Sequence, residues 1–330
     1  MPEMKRREFI TLLCGATAAW PLAARAQQPA IPAIGYLNTR AAGEDEHLLA
    51  AFHQGLKETG YVESRNVTIE YRWAEGRNDR LPALAADLVR RQVAVIAAGG
   101  TPATIAAKAA TATVPIVFVT GADPIEIGLV ASLNRPGGNL TGITTLTSKV
   151  AQKKLELLHD LLPGKTVIAL LINPTNPILA ETNRRDLQAA ARTLGLQILM
   201  LRASSEREFE TAFATLVQQR AGGLVIGTDA FFNSRSRQLA ALAARHAVPS
   251  ISQFRGFAAG GGLMSYGATN TDEYHLVGVY TGRILKGEKP ADLPIQQAAK
   301  AELIINLKTA KALGVTVPIP ILGRADEVIE

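Results

Sequence analysis

From Ile31 onward the chain alternates short β-rich runs with amphipathic helical stretches, and it does so in two successive series. That alternation constrains the fold more than any other feature. Strand, helix and strand in repeated order build right-handed βαβ units, whose parallel sheets must be covered on both faces. The first series reads as strand 34–37, helix 47–59 closed by Gly60, strand 67–73, helix 80–91, strand 93–97, helix 102–110 and strand 116–120. After Pro136-Gly137-Gly138 the second runs helix 151–162, strand 167–172, helix 178–194, strand 197–201, helix 206–219, strand 224–226, helix 235–246 and strand 250–252. Val167 to Ile172 are apolar without interruption, as in a strand buried on both faces. The expected class is α/β, with two doubly wound parallel-sheet lobes. A length of 330 residues leaves room for about two domains, and 47% hydrophobic against 19% charged residues excludes a disordered chain.

Three further segments, 140–146, 262–266 and 293–297, are short, extended and flanked by Gly or Pro. A two-lobed chain that passes between its lobes three times needs three such connections. Helix 275–285 would then return to the first lobe and helix 306–313 to the second. The expected division is 27–144 with 268–295 for the first lobe, and 145–267 with 296–330 for the second.

Residues 1–26 read as an address. Lys5, Arg6 and Arg7 precede a short apolar stretch, Ile10 to Trp20, and Ala24-Arg25-Ala26 has the small-x-small form of a signal-peptidase site. The apolar run is shorter than the roughly 20 residues that span a bilayer, and Pro21 interrupts it. Export to the periplasm with cleavage near Ala26 is therefore expected, and Arg6-Arg7-Glu8-Phe9-Ile10 resembles a twin-arginine motif. Cys14, the one cysteine, would leave with the signal, removing thiol catalysis, disulfides and thiolate metal sites together. The formal charge is +6, from 35 Lys and Arg against 29 Asp and Glu, and no basic block follows Arg7. That is no nucleic-acid footprint, where basic residues cluster.

In open parallel sheets ligands bind beyond the carboxyl ends of the strands, so the residues after each strand carry the functional information. Here they are small and polar: Asn38-Thr39, Gly99-Gly100-Thr101-Pro102, Gly121-Ala122-Asp123-Pro124, Asn173-Pro174-Thr175-Asn176 and Gly227-Thr228-Asp229-Ala230-Phe231-Phe232. Gly99 and Gly100 let a ligand approach the backbone, Thr101 suits a helix N-cap and Pro102 the first helical position, so a carboxylate fits the helix start. An ordinary helix start reads the same way. Asp229 suits a ligand ammonium, with Phe231 beside it for an apolar side chain, or equally a cap for its own helix. Asp123 shares that ambiguity, Asn173 and Asn176 also suit turns, and Tyr266 suits either a cleft wall or the core beneath.

Enzyme signatures fail on inspection. Gly164-Lys165-Thr166 lacks the first glycine of a phosphate loop and precedes its strand, Leu263 occupies the glycine position of a nucleophile elbow, and no Gly-x-Gly-x-x-Gly follows the first strand. His47, His53, His159, His246 and His275 fall at no metal-ligand spacing. No enzyme activity, metal or cofactor is expected, and the doubly wound enzyme is the weaker alternative.

With a signal, two α/β lobes, three connections and polar strand ends, the chain resembles the periplasmic substrate-binding proteins of ABC transporters. More narrowly it is similar to their tryptophan/tyrosine-type family, through Phe52-His53-Gln54-Gly55-Leu56-Lys57-Glu58-Thr59-Gly60-Tyr61, Gly99 to Pro102, Val130 to Asn139 and Gly227-Thr228-Asp229. The Leu133 to Asn139 stretch is the most specific of these. The resemblance implies a type I periplasmic binding fold that closes on a small carboxylate-bearing ligand, an aromatic amino acid by the family label. It also implies delivery to permease and ATPase subunits of the inner membrane. An extracytoplasmic sensor of the same fold is the alternative role. The ligand positions expected are Asn38, Gly100, Thr101, Asp123, Asn173, Asn176, Asp229, Phe231 and Tyr266. Gly99-Gly100-Thr101 would hold a carboxylate, Asp229 an ammonium, and Phe231 and Tyr266 would flank the ligand side chain.

Overall fold

The computed structural model describes residues 31–43, 46–145, 147–297 and 301–330, so the expected leader with Cys14 lies outside the described residues. The first series folds as β1 (Ala33–Asn38), α1 (Glu46–Glu58), β2 (Thr68–Trp73), α2 (Leu81–Arg90), β3 (Val95–Gly99), α3 (Thr101–Ala110), β4 (Ile116–Thr120) and β5 (Leu140–Thr144). The second is α4 (Thr147–Leu161), β6 (Val167–Ile172), α5 (Pro177–Leu194), β7 (Gln197–Arg202), α6 (Glu206–Gln218), β8 (Gly223–Ile226), α7 (Ala230–Ser234), α8 (Ser236–Arg245), β9 (Ser250–Ser252), α9 (Arg255–Ala259) and β10 (Met264–Gly267). Then come α10 (Asn270–Leu285), β11 (Gln296–Gln297), β12 (Glu302–Asn306), α11 (Leu307–Ala312), α12 (Ile319–Leu322) and β13 (Glu327–Ile329).

These strands form two sheets among the described residues, ordered β11-β5-β4-β3-β1-β2 and β13-β12-β10-β9-β8-β6-β7. Pairing is parallel except where β12 returns antiparallel to β10. That exception has a local cause: β12 re-enters the second sheet from the other lobe, with no crossover helix to turn it round. The segments expected as bare connections are β5, β10 and β11, each bonded to a sheet before the chain passes on.

Burial on both sheet faces explains the unbroken apolar strands. In β3, Val95 and Ala97 enter one core cluster while Ile96 and Ala98 enter the other, and in β6 Ile168 and Leu170 part in the same way from Ala169 and Leu171. The helices bring matching stripes: α1 buries Leu48, Phe52 and Leu56 at four-residue spacing against the same cluster as Tyr274, Val277 and Tyr280 of α10. So α10, which follows β10 of the second sheet, packs on the first-lobe core.

Candidate ligand cleft

A cavity of about 250 Å³ opens where the strand ends of the two sheets face each other. From the first sheet come Thr39 and Arg40 after β1, Gly99 to Pro102 around the start of α3, Gly121 after β4 and Thr145 after β5. From the second come Asn173 and Asn176 after β6, Ser204 after β7, Thr228 to Phe231 after β8 and Phe254 after β9. The start of α10 adds Asn270, Glu273 and Tyr274. The two lobes touch beside this space, where Asn78 Nδ2 donates to the Thr175 carbonyl at 3.2 Å, and again at a second, smaller pocket, where Arg185 pairs with Glu126.

On the first-lobe wall, Gly100 is the N-cap of α3, with φ of +100°, and Thr101 is its first helical residue. The expected Thr101 cap is thereby corrected, since a left-handed N-cap needs glycine and the threonine shifts one place on. Its buried hydroxyl hydrogen-bonds instead with Thr120 Oγ1 at 2.8 Å. Gly99 is required by close approach, because a Cβ there would lie 2.4 Å from Asn38 Nδ2 and 2.7 Å from the Tyr274 hydroxyl. Asn38 lies behind the wall: its amide donates to the Tyr36 and Tyr274 hydroxyls at 3.2 and 3.1 Å, and its Oδ1 accepts from the Arg40 N–H at 3.1 Å. It sets Tyr274 and Arg40 in place without lining the cavity.

The second-lobe wall is centred on Asp229, which is 5% exposed. Oδ1 accepts from Asn173 Nδ2 and the Phe231 N–H, both at 3.0 Å, and Oδ2 accepts from Asn176 Nδ2 at 2.9 Å. Both readings of Asp229 meet here, since it caps the short helix α7 and faces the cavity. Burial raises its pKa, while the two asparagines, the Phe231 N–H and the nearby Arg40 charge pull it back. A carboxylate has about four acceptor positions, so three donors leave one for a ligand cation. Phe231 stacks on Phe209 at 5.3 Å, which fixes the ring at the cavity edge.

Two expected positions fall elsewhere. Asp123 is exposed and accepts from the Ile125 and Glu126 N–H groups at 2.8 and 3.3 Å, a turn cap beside a smaller pocket. Tyr266 packs against the second-lobe core and does not line the cavity. Arg40 and Glu273 were missed, and both are buried at the cavity. Arg40 follows β1 by two residues, within reach of the strand-end rule. Glu273 lies in the first turn of α10, where an acid already suits the helix dipole and gives no separate signal.

A family model described as ABC transporter substrate binding protein matches residues 45–329. The chain belongs to that family. The substrate-binding chain is 28% identical over 262 residues to a tyrosine-binding protein of Clostridioides difficile, covering 79% of this chain and 75% of that protein. A Streptococcus pneumonia ABC domain solved in complex with L-Trp aligns at TM-score 0.80 and 25% identity, over 90% of this chain and 99% of that one. The ligand-free, open structure of a Clostridium difficile substrate binding protein with adhesive properties aligns at 0.63 and 23%, over 91% and 99%. The α/β fold with two parallel-sheet lobes and the tryptophan/tyrosine-type resemblance both stand. Among the described residues, no three His, Cys, Asp or Glu side chains are grouped to hold a metal, and no helix is long and apolar enough to cross a membrane.

Proposed function

We propose that this substrate-binding chain is exported and closes its lobes on an α-amino acid, with an aromatic one favoured, for delivery to the permease and ATPase of an ABC importer. One observation carries the reading. A fixed carboxylate, Asp229, and a guanidinium, Arg40, both buried, line one cavity from opposite lobes, close enough for the Arg40 charge to act on Asp229. An α-amino acid has the complementary pair, with its carboxylate for Arg40 and the Gly100-Thr101 helix start, and its ammonium for the fourth acceptor position of Asp229. Phe231, Phe254 and Tyr274 supply aromatic walls for its side chain. At about 250 Å³ the cavity lies just below the ~300–1,000 Å³ typical of ligand pockets, which suits a single small metabolite.

The tyrosine-binding relative and the L-Trp complex agree with this ligand class. The hinge on this reading is the set of passages after β5, β10 and β11, and closure draws on contacts from both lobes. Calorimetric titration of the chain from residue 27 tests it. L-Trp or L-Tyr is expected to bind, and the matching amine and carboxylic acid, each lacking one group, to bind at least tenfold more weakly. Binding of a sugar or a simple carboxylate with no response to any α-amino acid overturns the reading.

A further inference from the structure

One charged side chain of the cavity has no part in that clamp. Glu273 is 3% exposed, and its Oε1 accepts from Thr145 Oγ1 at 2.9 Å. Thr145 ends the passage after β5 and Glu273 begins α10 after the second passage, so the pair ties two of the connections between the lobes. The charges that act on it are Arg40, from the loop after β1, and Asp272 on its own helix. Strands β3, β4 and β5, packed on α10, bring no charged side chain, and Glu58 of α1 is engaged at the surface with His275. Among the residues lining the cavity, the buried charged side chains are therefore one guanidinium, Arg40, and two carboxyls, Asp229 and Glu273. Glu75, Arg77 and Arg235 also line it, but pair with Arg80, Asp79 and Glu206.

A zwitterionic ligand adds no net charge to this set. Once its carboxylate engages Arg40 and its ammonium Asp229, an ionised Glu273 would be left buried with its opposite charge already taken, a costly state. We propose that Glu273 is a specificity-determining residue of the cleft that enters the ligand-closed form as a neutral carboxyl, so that closing on a zwitterionic amino acid takes one proton from solvent. The inference rests on the amino-acid reading above.

Burial supports it: even with Arg40 and Thr145 favouring the charged form, the Glu273 carboxyl is pushed from 4.5 up to about 7. When the lobes part and water reaches the carboxyl, its pKa returns toward the ordinary value. A pKa higher in the closed form makes closure strongest at low pH and progressively weaker as pH rises toward the closed-form value. Affinity for a zwitterionic ligand should thus fall by up to tenfold per pH unit between pH 5 and 7, where the ligand itself does not titrate.

Titration of the chain from residue 27 with L-Trp or L-Tyr at pH 6, in two buffers of different ionisation enthalpy, reads the proton directly. Uptake close to one proton per ligand is expected for the wild type, and none for Glu273→Gln, whose affinity should be flat from pH 5 to 7. Binding without proton uptake in the wild type overturns the inference, and that result needs no variant. Uptake that survives in Glu273→Gln and disappears in Asp229→Asn overturns it too, because Asp229 would then be the proton acceptor. If no α-amino acid binds the wild type, it is the amino-acid reading itself that fails.

Discussion

The two walls of the cleft are built by different means. The first-lobe wall is mostly backbone: Gly99 and Gly100 bring the start of α3 to the cavity surface, and the Thr101 hydroxyl is already paired with Thr120. The second-lobe wall is a network of side chains, in which Asn173, Asn176 and the Phe231 N–H hold Asp229 in one orientation. That network is also braced from behind. Lys154 of α4 is fully buried and donates from Nζ to the Ile226 carbonyl at 3.0 Å, at the end of the strand that delivers Asp229. A wall of main-chain groups tolerates loss of a side chain, whereas a wall of interlocked side chains does not.

Lys154 offers the largest effect. Burial lowers its pKa from 10.5 to about 7. Between those values the unfolded chain binds a proton that the folded chain does not, so folding stability rises with pH across that window. The stability of the wild type relative to Lys154→Met should therefore climb by about 3 kcal/mol from pH 7 to pH 10, read by denaturant unfolding at each pH. A constant difference would mean that the lysine is hydrated and braces nothing.

Next in size is Asp229→Asn, which puts the second-lobe wall to the test. Loss of a charged, desolvated contact should weaken amino-acid binding by about 1.5–3 kcal/mol, with the fold retained because an amide still accepts from Phe231 N–H. An affinity within twofold of wild type would leave Asp229 as a helix cap alone. The smallest effect belongs to Thr101→Ala, about 1 kcal/mol or less in binding, since the backbone donors of α3 remain. Should Thr101→Ala cost as much as Asp229→Asn, the contrast between a backbone wall and a side-chain wall is broken.

Which expected residues reached the cleft follows from how each satisfies its polar atoms. Asn173, Asn176 and Asp229 were legible as polar residues just past buried strands, and their mutual hydrogen bonds keep them at the cavity. Asp123 stands in the same kind of position, yet the N–H groups two and three residues on satisfy it, and it stays with its turn. Asn38 is the last residue of β1 rather than the first beyond it, so its amide points among Tyr36 and Tyr274 inside the lobe. Tyr266 illustrates the two-residue period of a strand: it shares a face with Met264 and packs with it against the second-lobe core, Ser265 and Gly267 take the other, equally covered face, and four residues do not say which face a ring will take.

By itself the sequence determined the order and kind of the main elements, because periods of two and 3.6 residues are local properties that each segment carries with it. It also pointed to the strand ends, whose small polar residues line the cavity, since ligands of open parallel sheets bind beyond those ends. Only the tertiary structure decided that β12 runs antiparallel and that Arg40, Asp229 and Glu273 share one cavity. Those three residues stand 189 and 44 positions apart along the chain. The encounter of buried charges from distant segments is what sets their chemistry, and no local pattern records it.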